Sequence, residues 1–375
     1  MGTKENINQI FETYEAIGGN VIIASKDKIL EQFTYGYQEL EKKVLTQTNT
    51  IYRIASISKV VVASTLMTLY DEGLIDIKED ISKYLGFKLR NPNYPEDKIT
   101  LEMVMTQTSS ICDGEDPKLG YDGVNGPRFF VSLERLLTDP TYEYYTDKTF
   151  LKAKPGSTFC YSNFGCGILA CVIEKITGKY FADVVRERLL LPMGLDASFR
   201  IDDIKHLDNV ASLYDEQNGQ LVLCRSKDLF LEYVFPRYEL GNNFRGPAGG
   251  LFISPIDLTV FMQMLMNNGI VNGKRYLKES TVKFMKEIHW ETKDKPDGLY
   301  YKKGLQMLIL DRNNVRLYGH TGSAYGLRSF MLFNDEIGYI FMCNGAKYVY
   351  EKEGITSIQD KCLDEVMQYE KRNNG

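Results

Sequence analysis

The sequence predicts an α+β fold in which one sheet is assembled from both chain ends and a mostly helical middle region packs beside it. Three observations carry this expectation: strand-like apolar runs lie near the two ends, helical periodicity dominates between them, and no repeat, low-complexity stretch or linker divides the chain. At 375 residues the chain suits one large domain or two intimate ones. The expected organisation is a single domain over 1–375, with a sheet subdomain of about 1–60 and 205–375 and a helical subdomain of about 61–204.

The elements follow in order. Ile7, Ile10, Phe11, Tyr14 and Ile17 form one stripe, which predicts a helix over 5–17. Two strands, Asn20–Ser25 and Ile29–Tyr35, are expected around the polar turn Lys26-Asp27-Lys28. After the short run Ile51–Ile54 a helix is expected to begin near Ser56 and to stop at Gly73. LEMVMTQT, VSLERLLT, GCGILACVIEKITG and ADVVRERLLLPMG then show helical periodicity, and DGEDPKLGYDGVNGP reads as a long surface loop. Strand patterns return in LVLC, GLQMLIL, VRLYG, SFMLFN and IGYIFMCN, with helices at 255–268, 279–288 and about 355–371.

Composition removes several classes of function. With 45 basic and 50 acidic side chains the net charge is −5, and no basic stripe is present for nucleic acid or a membrane surface. No apolar run reaches the ~18 residues of a membrane span, and the N-terminus lacks a hydrophobic signal core. The seven cysteines are scattered without a CxxC pair, which fits reduced thiols in a reducing cytoplasm and implies no metal site; an exported form with a removed signal peptide is the alternative location.

The S-x-x-K pattern occurs at Ser25-Lys28, Ser56-Lys59 and Ser280-Lys283. Ser25 closes a strand before a turn, and Ser280 reads as a helix N-cap. Ser56 opens an apolar helix, with Lys59 one turn on along the same face. A lysine desolvated there loses charge readily and can accept the serine proton. Tyr161-Ser162-Asn163 sits on a Gly-flanked loop before a helix, where a phenol can relay protons. His320-Thr321-Gly322-Ser323 follows a strand, and Gly322 allows close backbone approach of a ligand to the Ser323 N–H. His206 and His289 read as surface residues, and no G-x-S-x-G elbow exists.

In that order, S-x-x-K, Y-x-N and H-T-G resemble the serine β-lactamase-like superfamily, in the branch holding class C β-lactamases, DD-peptidases, D-aminopeptidases and related esterases. The flanks YRIASISK, PGSTFCYSN, PAGGLFISPIDLTVFMQML and GHTGSAYG resemble that branch too, and the similarity runs from about residue 8 to about 350. The resemblance implies an antiparallel sheet flanked by helices, Ser56 as nucleophile, and Lys59 and Tyr161 as proton carriers. It implies an oxyanion hole from the Ser56 and Ser323 N–H groups, with Asn163, His320, Thr321 and Gly322 placed around the substrate. It further implies hydrolysis of an ester or amide in a small molecule or peptide, without a cofactor.

Two departures stand out. Gln107-Thr108-Ser109-Ser110 replaces a segment usually close to H-T-S-G, which leaves the shape of that loop open. His320 replaces a lysine, so Arg328 is a candidate for the missing positive charge and a surface strand position is its alternative. The alternatives to a turnover enzyme are a penicillin-binding sensor and a member of the fold that only binds ligand. Oligomeric state is open.

Overall fold

In a computed structural model, the described residues are 2–126, 128–293 and 298–369. A nine-stranded sheet dominates, in the order Trp290–Glu291, Lys302–Lys303, Leu308–Arg312, Val315–Ala324, Leu327–Phe333, Ile337–Cys343, Gly18–Ser25, Ile29–Glu39, Val44–Leu45. Every neighbouring pair is antiparallel, and the chain ends meet where Val21 faces Phe341 and Ile22 faces Ile340. The sheet built from both chain ends is therefore present.

The three strands at the centre of this junction are buried along almost their whole length because both sheet faces are covered. Alternate residues divide between two cores, as period-two geometry requires. Ile22, Ala24, Met331, Phe333, Ile340 and Met342 join the core shared with the helical region. Val21, Ile23, Phe330, Leu332 and Phe341 join a second core under the helices Thr3–Thr13 and Ser357–Met367. That is why these strands read as continuous apolar runs rather than alternating ones. Each of the larger of these side chains contributes about 1.5–3 kcal/mol of burial.

The hairpin Leu213–Gln217 with Gln220–Arg225, which contains LVLC, pairs only with itself and is not part of the main sheet. The segment expected as a long surface loop is partly folded inward. Gly120–Val124 is helical, and the buried Tyr121 stacks on Phe164 with ring centroids 5.2 Å apart. Ser280 is not a cap, since the helix Glu279–Lys286 has Lys278 at its N-cap position. His289 lies largely beneath the surface, against the Glu102 carboxylate and the Phe284 carbonyl at 2.8 Å each; His206 is exposed as expected. Among the described residues, no helix is long and apolar enough to cross a membrane.

The fold delivers one backbone segment with particular tightness. Ile54 donates its N–H to the Leu251 carbonyl at 2.9 Å and accepts the Ser329 hydroxyl at 3.1 Å. Ala55 is then held at φ 53°, a left-handed conformation that costs an alanine about 1–2 kcal/mol. Gly322 on the strand Val315–Ala324 packs against this turn, and a Cβ there would lie 2.3 Å from Ser329 Oγ and 2.6 Å from the Ile54 carbonyl oxygen. Gly322→Ala is therefore expected to destabilise the protein by about 1–3 kcal/mol through overpacking. Thermal unfolding of the variant beside the parent checks this; an unchanged midpoint would mean that strand and turn are not so closely apposed.

Candidate functional site

Ser56 lies in the 3₁₀ turn Ala55–Ile57, which runs directly into the helix Ser58–Asp71. Lys59 comes one turn later and is wholly buried, because Val60, Val61 and Val62 around it are core residues. Its ammonium makes three hydrogen bonds: to Ser56 Oγ at 3.0 Å, Asn163 Oδ1 at 2.8 Å and the Ala248 carbonyl at 2.9 Å. None of these acceptors is a carboxylate. Burial therefore dominates and pulls the Lys59 amine down to about 8, against smaller opposing effects from Cys166 and Asp113.

Tyr161 donates its hydroxyl to Ser56 Oγ at 2.8 Å, so the serine oxygen lies between a phenol and an amine. Burial pushes the phenol above its ordinary range. The helix Asn163–Thr177 starts just beyond, capped by Ser162, whose Oγ accepts the Gly165 N–H at 2.9 Å. Gly167 on this helix lets the 244–248 loop approach, since a Cβ there would meet the Phe244 carbonyl oxygen at 2.1 Å. The Ala248 carbonyl reaches Lys59 on that loop.

Sequence reasoning missed Asp113, which organises this corner. Its carboxylate accepts the Ser162 hydroxyl at 3.0 Å, the Asn163 and Phe164 N–H groups at 3.1 and 2.8 Å, and Asn163 Nδ2 at 2.8 Å. The last bond turns the amide so that Oδ1 faces Lys59. An acid at a helix N-terminus is also favoured by the helix dipole. Asp113 lies in a segment rich in Gly, Pro and Asp that reads as solvated loop; the bonds it accepts from Ser162, Asn163 and Phe164, about 50 positions along the chain, set it apart.

The segment 107–110, where the sequence departs from the family, is buried throughout. Ser110 takes a left-handed φ of 65° without being glycine, and its hydroxyl accepts Asn91 Nδ2 at 2.9 Å. The loop leads through Cys112 to Asp113. Cys112 and Cys160 face each other with Sγ atoms 2.7 Å apart, each immediately before a residue of the site. The seven thiols are free; Cys160 and Cys224 are only half-buried.

A cavity of about 230 Å³ opens over Ser56, with Tyr161, Asn163, Thr321, Ser323, Tyr300 and Gln359 among its walls. Thr321 is fixed by its hydroxyl bond to the Gly354 carbonyl at 2.9 Å. His320 and Gly322 are not on this wall. His320 is wholly buried behind Tyr161, edge-on at 6.1 Å between ring centroids, and Nδ1–H donates to the Thr321 carbonyl at 2.6 Å. Burial and the nearby Lys303 and Lys59 charges hold its pKa well below the ordinary histidine value.

Arg328 does not supply the missing charge to the cavity, nor is it a surface residue. It is buried, stacked on the Tyr348 ring at 3.9 Å and bonded to the Leu327 carbonyl. The buried cation beside His320 is Lys303, unremarkable in sequence as half of a Lys-Lys pair. Its amine has no hydrogen-bond partner among the described residues, and it lies over the rings of Tyr300 and Phe159 at 5.7 and 6.0 Å. Burial, then repulsion from Lys59, brings it down to about 7.

This geometry holds a hydroxyl within hydrogen-bonding reach of one amine and one phenol, the arrangement that nucleophilic catalysis requires. Protein flp of Staphylococcus aureus (strain MRSA252) is 24% identical over 323 residues, covering 86% of this chain and 58% of that protein. The chain thus spans less than two thirds of such curated relatives. Penicillin-binding protein 4* of Bacillus subtilis (strain 168) is 24% identical over 196 residues, which is 52% of this chain and 41% of that protein.

Among solved structures, D-amino acid amidase from Ochrobactrum anthropi SV3, complexed with L-phenylalanine, superposes with a TM-score of 0.75 at 17% identity, over 100% of this chain and 99% of that one. The octameric penicillin-binding protein homologue from Pyrococcus abyssi gives 0.74 at 21% identity, over 97% and 76%. EstCE1, a hydrolase with promiscuous acyltransferase activity, gives 0.73 at 18%, over 97% of each chain. The model of the beta-lactamase family matches residues 4–361, nearly the whole sequence, and the chain belongs to that family.

Proposed function

We propose that the protein is a serine hydrolase that cleaves an ester or amide through a Ser56 acyl-enzyme, with small esters and D-amino-acid amides or peptides as substrates and β-lactams as acylating agents. The observation that carries this reading is the placement of Ser56 Oγ 3.0 Å from the Lys59 amine and 2.8 Å from the Tyr161 hydroxyl. The amidase and hydrolase among the structural neighbours support the substrate classes as analogy only.

In the proposed sequence Lys59 in its neutral form takes the Ser56 proton as Oγ adds to the carbonyl carbon. The Ser56 and Ser323 N–H groups receive the oxyanion, each such donor being worth roughly 3 kcal/mol of barrier. Tyr161 gives its proton to the leaving oxygen or nitrogen and recovers one from Lys59. Water then attacks the Ser56 ester, its proton passes through the same pair of groups to Ser56 Oγ as the C–Oγ bond breaks, and the acid product leaves with the serine hydroxyl restored. Asn163 holds Lys59 and offers its amide to the substrate, while Thr321 shapes the wall opposite. The amine suits the first step: at about 8, roughly a tenth of Lys59 is free base at pH 7, against about one part in three thousand for an ordinary lysine. The raised Tyr161 phenol stays protonated and fits the role of acid.

Release of nitrophenolate from a small activated ester, compared between parent and Ser56→Ala, tests the reading. Ser56→Ala is expected to abolish turnover while leaving the fold intact; equal rates in both proteins would remove Ser56 as nucleophile. A single stoichiometric burst without turnover would instead indicate a penicillin-binding receptor.

The sign of the pH dependence follows from Lys59. Because its base form is the active one and its pKa is lowered, kcat/KM is expected to rise with pH and to reach half of its plateau near 8. A profile that is flat or falling between pH 6 and 9 (roughly one unit or more either side of that value) would show that Lys59 is not the base.

Asp113→Ala frees the Asn163 amide to turn away from Lys59. Small misplacements of this kind lower rates by ~100-fold. Steady-state kinetics on the same ester is expected to show that loss mainly in kcat, and unchanged kinetics would remove Asp113 from the proposed machinery.

A further inference from the structure

A second, larger cavity of about 410 Å³ is lined in part by residues next to the nucleophile segment. The two cavities share their supports. Arg53, three residues before Ser56, lines the larger one, and so does Tyr325, two residues beyond Ser323 on the hairpin that lines the smaller one. Gly246, Pro247 and Gly250 line it as well, flanking the Ala248 that binds Lys59. Its remaining walls are largely aromatic, with Phe181, Phe199, Phe230 and Phe252 among them.

Five arginines face this cavity, and their partners differ. Arg200 is paired with Asp202 at 2.5 Å and Arg237 with Asp183 at 2.7 Å. Arg245 is bonded to the Val124 and Phe129 carbonyls. Arg53 and Arg225 have no acid partner among the described residues. Arg225 reaches only Cys224, through its carbonyl at 2.8 Å and its sulfur at 3.8 Å. Both guanidinium groups lie over the Tyr325 ring, Arg53 at 5.1 Å and Arg225 at 4.3 Å. The one carboxylate on the wall, Glu174, is already occupied by the Phe181 and Gly241 N–H groups and Asn243 Nδ2. Two cations that share one ring in an aromatic chamber, with no counter-charge from the protein, form a receptor for an anion attached to an apolar body.

Tyr161, the proposed proton donor to the leaving group, lines the smaller cavity and not the larger. With the leaving group beside Tyr161 in the smaller cavity, the acyl portion is the part of the substrate left to reach toward Arg53 and the larger cavity. We propose that the larger cavity is an acyl subsite that selects an apolar arm ending in a carboxylate, read by Arg53 and Arg225. Its catalytic consequence rests on the acyl-enzyme reading; the binding preference does not.

The two are separated by measuring binding without turnover. In Ser56→Ala protein, calorimetry with phenylvalerate is expected to show at least ~10-fold tighter binding than with phenylvaleramide, a gain typical of a charge-assisted hydrogen bond. Adding Arg53→Gln or Arg225→Gln is expected to bring the two ligands level. Arg225→Gln alone carries the test if the Arg53 variant does not fold. Equal binding in Ser56→Ala protein, or a preference that survives the glutamine variants, overturns the proposal.

In the wild type, kcat/KM for mono-nitrophenyl suberate is expected to exceed that for nitrophenyl octanoate by a similar factor, once rates from Ser56→Ala are subtracted. If the anion binds preferentially but neither ester is cleaved through Ser56, the subsite stands and the hydrolase reading falls. If both esters are cleaved alike and both ligands bind alike, the hydrolase reading stands and the subsite falls.

Discussion

A buried amine held only by neutral oxygens is the constraint around which the site is arranged. Lys59 has three N–H donors, and they are taken by a hydroxyl, an amide oxygen and a backbone carbonyl from three separate parts of the chain. A carboxylate in contact would have been the simpler way to satisfy a buried ammonium, and it would have raised the pKa. Here the acid is placed one residue away. Asp113 binds Asn163 rather than Lys59, so its charge reaches the amine through an intervening amide and only partly offsets the desolvation. The lysine stays anchored without being locked into its charged form.

Holding those acceptors in place calls on most of the fold. The Ala248 carbonyl depends on Gly167 permitting the 244–248 loop to touch the helix, and Asn163 depends on the Ser162 cap and the Asp113 carboxylate. Ser56 depends on a turn clamped between Leu251, Ser329 and Gly322. The left-handed Ala55 is strained, and strain of this kind persists only where its surroundings fix it. The sheet provides that rigidity: the strand carrying Gly322 and Ser323 is one step from the fully buried strands at the junction of the chain ends, where apolar side chains pack on both faces.

What could be read beforehand follows from the range of the interactions involved. The central strands and the Ser56 helix were legible because long apolar runs and an i,i+3 pair are local signals. Ser56, Lys59, Tyr161 and Asn163 were reachable because spaced motifs reinforce one another, and the structure brings these four side chains together. Asp113 was not, because its significance lies in accepting bonds from residues some 50 positions away. Lys303 was missed for a related reason: strand pairing places it opposite Leu308 and buries it, whereas its neighbour Lys302 reaches Asp311. His320 was found, but its depth was not, since a motif gives order along the chain and not distance from solvent. LVLC has the composition of a core strand and lies in a peripheral hairpin, where its residues are exposed or half-buried.

The distribution of charge completes the argument. The chain is acidic overall, at −5, yet apart from Asp113 and Glu174 the charged groups at the two cavities are basic: Lys59 and Lys303 near the nucleophile, and Arg53 and Arg225 among the arginines on the larger cavity's wall. Burial first, and then repulsion from the neighbouring cations, drives Lys303 and His320 toward their neutral forms. The same field favours negative charge wherever it can develop in the two cavities. An oxyanion over Ser56 and a carboxylate beneath Tyr325 would each relieve it, at different times and in different places. Two positions that both favour anions, joined by the short segment from Arg53 to Ser56, are what would let a charged acyl arm anchor a substrate while a second negative charge forms at its carbonyl.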